Sequence, residues 1–480
     1  MRKATGFLKM VVRRAVLLGF GVEILLGLCW LAGNIMRYQD FGDSMLYRQA
    51  AENMICDDYM AILYPFLIRV ATCLAGLFSI PFYPIMYVLQ LACAMAAAYF
   101  FFSRLLSRNL EGRRGYCLFG SLALLTVPMA MQCHLAILPN SLVSSIVLVQ
   151  LGFLVSLIRS EAEDAVDHEK SIRFSGSSAF MGFTWLAEAL LLPEFLEIGA
   201  VIILCFFVII ACKIRRDNLR AMAHVILVIA ACGGILVTVK GITTTPGAFG
   251  RMYNTPEAAA FRRFAWDNFG ELYASWPQEF KDVLTQDDIA NCNWYPQEKM
   301  WILWERVDRI YGKEHAKKLY GQLAKDAARI RMKRNVKEVL CDMLSYGLAP
   351  AAQIYLMEGR GQMTVSGNNY DMMRKGQPGL SGTYFRYGCY WFATAIMLLV
   401  IYRILLWTER FGRNNQYSGD MKDIKQTKKI IATFLACGVA IALWYTMQGG
   451  GMMDYKSCVP VTLLWCVALL LMGAKEEWTI

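Results

Sequence analysis

The feature that most constrains this chain is its repeated long apolar runs with few charges. A helix needs about 20 apolar residues to cross a hydrocarbon core about 30 Å thick. Of the 480 residues, 56% are hydrophobic and 18% are charged, whereas soluble proteins carry about 25% charged residues. Mean hydropathy is +0.37. The sequence therefore predicts an all-α polytopic membrane protein.

Apolar runs of sufficient length predict about ten transmembrane helices. They lie at 15–36, 83–104, 115–133, 138–158, 177–193, 196–213, 220–240, 384–408, 428–447 and 458–474. A further apolar run, 61–79, contains Pro65 and Arg69. We expect this run to form a helix that lies on the outer face of the membrane or re-enters it, without crossing.

Basic loops fix the orientation, because short cytoplasmic loops are enriched in Lys and Arg. If 61–79 and 83–104 both crossed, the basic loop 104–114 would lie outside. With a single crossing, that loop and the later short basic loops all lie inside. The predicted protein sits in the cell membrane with both termini in the cytoplasm.

Three parts follow from this topology. Residues 1–240 form an N-terminal transmembrane module whose first external loop is 37–82. Residues 241–383 form a mainly helical extracytoplasmic domain, and 384–480 form the C-terminal transmembrane helices. The net charge of +11 fits the basic loops, so we predict no nucleic-acid partner. The 15 cysteines lack paired CxxC spacing, which argues against a zinc site or a disulfide framework.

The first external loop carries the most specific motif. A helix is predicted over 43–54, and Asp43 at its start is a suitable N-cap. Asp43 is followed by Tyr47, Ala51 and Met54, and then by Leu63-Tyr64-Pro65. This spacing resembles the first external loop of GT-C glycosyltransferases that use polyprenyl-phosphate sugars, in particular the protein O-mannosyltransferase and aminoarabinose transferase branch.

In that family the pattern is usually Asp-Glu-x-x-Tyr-x-x-x-Ala-x-x-Met, followed by Pro-Pro-Leu-Tyr on a surface-lying helix. Here Ser44 stands at the second acidic position, and a single proline follows. The resemblance implies a hexosyl- or pentosyltransferase that acts on the outer face, with Asp43 as the general base. The implied donor is a lipid-linked sugar, and the acceptor is a cell-surface glycan, lipid or protein.

The chemistry of such a transfer is compatible with one essential acid. A departing phosphate needs no proton donor, so the enzyme needs a base for the acceptor hydroxyl and cations near the phosphate. We assign no cofactor beyond the lipid-linked donor, and no metal ligands. A requirement for a divalent metal stays open.

Six further residues are predicted to bind substrate. Arg251 follows two glycines and can offer a guanidinium to phosphate, although it can equally snorkel to lipid headgroups. Glu188 lies within a predicted span, where ionisable residues are functional candidates. Lys456 precedes Pro460 in a pattern similar to a basic-residue-then-proline motif of the same family. Asp40, which can equally be a solvated loop charge, completes the set with Tyr47 and Tyr64.

Two rival functions remain open. One is a multi-pass transporter or lipid flippase, against which stand the single large external region, the lack of repeat symmetry and an expected scarcity of buried charges. The other is a non-catalytic envelope-assembly protein with a degenerate transferase fold. Ser44 at the second acidic position keeps that rival open.

Overall fold

A computed structural model describes residues 2–38, 44–56, 60–106, 113–159, 180–192, 219–243, 276–283 and 306–330, with isolated positions at 203, 257, 260 and between 332 and 401. Four predicted site residues lie outside the described residues, namely Asp40, Asp43, Arg251 and Lys456. The predicted spans 428–447 and 458–474 lie outside them as well.

The described part of the chain is α-helical and contains no β-strand, which confirms the all-α class for these residues. Its first helices are α1 (Arg2–Asn34), α2 (Ser44–Asn53), α3 (Leu63–Phe78), α4 (Phe82–Leu105), α5 (Arg113–Leu125), α6 (Pro128–His134) and α7 (Asn140–Arg159). They are followed by α8 (Phe180–Leu191), α9 (Leu219–Thr243), α10 (Gln278–Val283) and α11 (Lys313–Ile330).

Among the described residues, three helical segments are long and apolar enough to cross a membrane. They are Met10–Asn34, Phe82–Leu105 and Ile226–Thr243, which coincide with three of the predicted spans. Helix α3 has 16 residues and is therefore about 24 Å long at 1.5 Å per residue. That length falls short of a hydrocarbon core of about 30 Å, as do the lengths of α5 and α8 within the predicted spans 115–133 and 177–193. That 61–79 does not cross stays a prediction.

The predicted span 115–133 is divided into two helices. α5 ends at Leu125 and α6 begins at Pro128. Proline has no N–H to donate, and the residue before it disfavours helical dihedrals. Val127 accordingly has a ψ of 126°. The apolar run therefore contains a 13-residue helix, a short turn and a 7-residue helix.

The C-terminal end of α1 lies beside the N-terminal end of α4. The Tyr83 hydroxyl donates to the Met36 carbonyl oxygen at 3.1 Å, and the Tyr87 hydroxyl contacts the Arg37 carbonyl oxygen at 3.5 Å. Between these helices the chain therefore leaves one end of the bundle and returns to the same end. We call this the loop end of the bundle.

Helices α2 and α9 also reach the loop end. The guanidinium of Arg48 in α2 stacks over the rings of Tyr38 at 5.4 Å and Phe82 at 5.6 Å, an attractive cation–π arrangement. Just after α2, the Cys56 N–H donates to the Thr243 carbonyl oxygen at the end of α9, at 3.0 Å. Helix α2 is thus held against the ends of α1 and α4, and its following loop is bonded to the end of α9.

The described part of 241–383 has a small aromatic core of its own. Phe280 of α10 lies edge-on to Trp276 and to Tyr320 of α11, with centroid distances of 5.5 Å in both pairs. Between the helical residues 306–311 and α11, Gly312 has a φ of +78°, a conformation that glycine adopts without strain. The described residues 278–283 and 313–330 of this region are helical, and a mainly helical domain over 241–383 stays a prediction.

Candidate functional site

Helix α2 begins at Ser44, the residue directly after the predicted base Asp43. The predicted helix 43–54 is thereby confirmed over Ser44–Asn53. The buried face of α2 consists of Ser44, Tyr47, Ala50 and Ala51, a spacing of three to four residues that puts them on one side of the helix. Helix α2 is therefore packed along its length, beginning with the residue that follows Asp43.

The structure brings two predicted substrate-binding residues, Tyr47 and Tyr64, into contact. Their ring centroids are 5.3 Å apart at an interplanar angle of 84°, the edge-to-face geometry that aromatic pairs favour. Tyr47 is 2% exposed and Tyr64 is 0% exposed. The contact between the two rings holds α2 against α3. Contact of either ring with a substrate stays a prediction.

The Tyr64 hydroxyl belongs to a buried hydrogen-bond cluster centred on Gln90 of α4. It donates to Gln90 Oε1 at 2.8 Å. Gln90 Nε2 in turn donates to the carbonyl oxygens of His134 at 2.7 Å and Ala136 at 3.0 Å. The side chain of Gln90, which is 0% exposed, thus joins α3, α4 and the turn between α6 and α7. We call Tyr64, Gln90, His134 and Ala136 the Gln90 cluster.

The Gln90 cluster supplies hydrogen-bond donors to backbone carbonyls in the turn that joins α6 and α7. Leu135, Ile137 and Leu138 in that turn are all 0% exposed, whereas connecting segments usually run over the surface. Buried backbone carbonyls require hydrogen-bond partners, and Gln90 supplies one to each of His134 and Ala136, the residues on either side of Leu135. Sequence reasoning missed Gln90, although an amide inside the apolar run 83–104 was a usable signal.

His134 lies between two predicted spans and is buried in the same cluster. Its Nδ1 is 2.7 Å from the Ser141 hydroxyl oxygen. Burial lowers the pKa of the imidazole to about 4, so the ring is neutral at pH 7. His134 therefore contributes no positive charge with which a phosphate group could be stabilised.

Glu188 occupies a different environment from the one expected near the outer end of a span. It is 0% exposed, because α8 packs against α9 through Leu186, Ala189, Cys232 and Leu236. The side chain of Gln150 in α7 interacts with its carboxyl group, and Gln150 also donates to the Thr184 hydroxyl at 3.2 Å. In the described part of the chain, the polar neighbours of Glu188 are these residues and not Tyr47 or Tyr64.

Comparison with protein-family models, curated proteins and solved structures finds no match for this chain. Within the ranges that the structure describes, no group of three His, Cys, Asp or Glu side chains is placed to hold a metal ion.

Glu23 of α1 is a buried acid that sequence reasoning missed. It is 0% exposed, and neither carboxyl oxygen has a hydrogen-bond partner among the described residues. Its signal was a single acidic residue within the first apolar run. Glu23 and Glu188 are two buried carboxyl groups. Few buried charged residues were expected, and that expectation counted against a transporter. The two buried acids make this objection weaker.

The hydroxyl of Tyr64 yields a specific prediction about stability. Tyr64→Phe keeps the ring contact with Tyr47 but leaves Gln90 Oε1 without its described donor. We expect the free energy of unfolding to fall by about 1 kcal/mol, the usual range for a hydrogen bond within a helix bundle. Tyr83→Phe is the matched control, because its hydrogen bond to Met36 is solvent-exposed and its loss should cost less.

Denaturant titration of the detergent-purified variants measures both changes. Equal losses in the two variants would contradict a special role for the buried hydroxyl of Tyr64.

Proposed function

We propose that this protein is an integral-membrane GT-C type glycosyltransferase that transfers a sugar from a polyprenyl-phosphate carrier to an acceptor on the extracytoplasmic face. In this proposal the chain has ten transmembrane helices, both termini are cytoplasmic, and region 241–383 lies outside. The observation that carries the proposal is the hydrogen bond between Cys56 N and Thr243 O. It sets α2, which follows Asp43, at the same end of the bundle from which region 241–383 departs.

Contacts at the loop end of the bundle also support the proposed topology. The contacts of Tyr83 and Tyr87 with residues 36–37 return α4 to the end at which α1 finishes. A chain that leaves and returns on one side makes no net crossing between residues 38 and 81. This supports the assignment of α3 as a non-crossing helix, and the proposed outer-face position of loop 37–82 rests on the basic loops of the sequence.

In the proposed reaction, Asp43 accepts the proton of the acceptor hydroxyl as its oxygen attacks the anomeric carbon of the sugar. The bond between that carbon and the phosphate oxygen breaks, and polyprenyl phosphate leaves with the electron pair. A base placed within hydrogen-bond reach of the hydroxyl accelerates such a step typically by 10²- to 10⁴-fold. Tyr47 and Arg48 hold α2 in place through their contacts with neighbouring rings. We infer that this keeps the base, which directly precedes α2, in a fixed position.

The remaining proposed roles concern the donor and the acceptor. Arg251 is eight residues beyond the end of α9 and is proposed to bind the phosphate. Lys456 is proposed as a second cation for the phosphate, and Asp40 to orient the acceptor. Tyr47 and Tyr64 are proposed chiefly as positioning residues, because both rings are buried.

The test is Asp43→Asn in cells whose surface glycans are profiled beside a deletion strain. Asn caps a helix about as well as Asp, so we expect normal expression together with the glycan profile of the deletion strain. Asp57→Asn, in the same loop, is the control and should keep the wild-type profile.

Each other outcome has a distinct meaning. A wild-type profile in Asp43→Asn, with an altered profile in the deletion strain, would reject Asp43 as the base and favour the non-catalytic assembly protein. An unaltered profile in the deletion strain would remove the transferase proposal itself.

A multi-pass transporter is the second candidate, and the two buried carboxyl groups of Glu23 and Glu188 favour it. Intramembrane acids commonly mark ion and substrate paths. A transporter predicts that Glu188→Gln abolishes function while Asp43→Asn is harmless. The transferase predicts the reverse order of severity, so the same two variants separate the two functions.

A further inference from the structure

One face of α1 forms a tight contact with described residues of the segment 383–401, namely Tyr384, Tyr387, Gly388 and Trp391. Gly19, Glu23 and Gly27 are spaced four residues apart and therefore share a face of the helix. A Cβ atom at Gly19 would overlap the ring of Trp391, and one at Gly27 would lie 2.8 Å from Thr126 Cβ and 3.2 Å from the Tyr384 hydroxyl oxygen. Small residues allow close helix approach in membrane proteins, and here two of them flank an acid.

The carboxyl group of Glu23 is enclosed by this contact. A Cβ atom built at Gly388 would lie 3.7 Å from Glu23 Oε1 and would overlap Pro128. Glu23 is 0% exposed, and both of its oxygens lack a hydrogen-bond partner in the described part of the chain. The carboxyl group is thus in a confined place among small and aromatic residues.

The neighbouring hydroxyl groups direct their protons elsewhere. The Tyr384 hydroxyl donates to the Thr126 carbonyl oxygen at 2.5 Å, and the Tyr387 hydroxyl donates to the Gly19 carbonyl oxygen at 3.0 Å. These two phenols are the titratable groups that face Glu23 among the described residues. Thr126 and Pro128, from the α5–α6 turn, bring no charge.

Ionisation of the Glu23 carboxyl group in these surroundings would cost much free energy. An ionised carboxyl group buried in apolar surroundings without a cation or donors loses its hydration with no compensation, and it takes up a proton instead. A protonated carboxyl group is neutral and avoids this loss. Ionisable groups at membrane depth are associated with proton relays and ion pathways.

We propose that Glu23 is an intramembrane proton-binding site, and that its proton holds α1 against the segment 383–401. Release of the proton would leave a charge inside the contact and would favour separation of the two elements. The proposal does not depend on the transferase function, because it is argued from the packing around Glu23 and assigns no role to Asp43.

Infrared spectroscopy of the lipid-reconstituted full chain at neutral pH tests the proposal. A neutral carboxylic acid and a carboxylate absorb in separate bands. We expect Glu23→Gln to remove one carboxyl equivalent from the neutral-acid band, and Glu23→Asp to retain it. Glu52→Gln is the matched control, because Glu52 lies exposed on α2 and its replacement should reduce the carboxylate band.

The remaining outcomes also decide the question. Loss of carboxylate intensity in Glu23→Gln would overturn the proposal and would show an ionised Glu23 that is paired with a cation. Failure of Glu23→Gln to fold, with a folded Glu23→Asp, would overturn it as well, because glutamine matches the shape and neutrality of the protonated acid.

Discussion

Gln90→Leu should destabilise the protein strongly. The substitution removes three hydrogen bonds at once and leaves the carbonyls of His134 and Ala136 without the donor that Gln90 supplies. Hydrogen bonds between membrane helices are worth about 0.6–1.7 kcal/mol each, so we expect a loss of about 2–4 kcal/mol in the free energy of unfolding. Denaturant titration in detergent measures this loss.

Gln150→Leu is the matched control for Gln90→Leu. Gln150 is also a fully buried amide in an apolar helix, but its side chain interacts with two groups, the Thr184 hydroxyl at 3.2 Å and the Glu188 carboxyl group, where Gln90 makes three hydrogen bonds. Its replacement should therefore cost less than that of Gln90, about 1–2 kcal/mol. If the two variants lost stability equally, the Gln90 cluster would not be the element that secures the turn between α6 and α7.

Gly19→Leu is the second change with a large expected effect. A side chain at this position would occupy the place of the Trp391 ring, so α1 and the segment 383–401 would have to move apart. Overpacking of this kind typically costs about 1–3 kcal/mol. The same thermal or denaturant measurement should show a clear loss of stability.

The neighbouring glycine provides the control for this prediction. A Cβ atom at Gly21 would meet nothing within 4 Å, and glycine is less favourable in a helix than alanine by about 0.8–1 kcal/mol in water, with leucine ranked just below alanine. Gly21→Leu should therefore leave stability unchanged or raise it. A loss of stability in Gly21→Leu equal to that in Gly19→Leu would contradict the assigned contact.

The sequence predicted the elements of this fold better than their contacts. The apolar runs located α1, α4 and α9 because length and hydropathy are local properties of a chain. The division of the run 115–133 is local too, because Pro128 breaks helical hydrogen bonding wherever it stands. Pro128 was therefore a usable signal against one continuous span over 115–133.

The contacts of the Gln90 cluster could not be predicted from local sequence patterns. Tyr64 and Gln90 are 26 residues apart, and Gln90 and Ala136 are 46 apart. Apolarity does not specify which helices meet, so the function of Gln90 could not be inferred from its own neighbours. The burial of Glu188 has the same origin, because it results from the packing of α8 against α9.

The hydrogen bond between Cys56 and Thr243 also limits how far the next segment can reach. A fully extended chain covers at most about 3.6 Å per residue. Arg251, eight residues beyond Thr243, therefore lies within about 29 Å of that anchor. Any phosphate that Arg251 binds must therefore lie near the loop that follows α2. The hydrogen bond thus sets an upper limit on the distance between that loop and the proposed donor site.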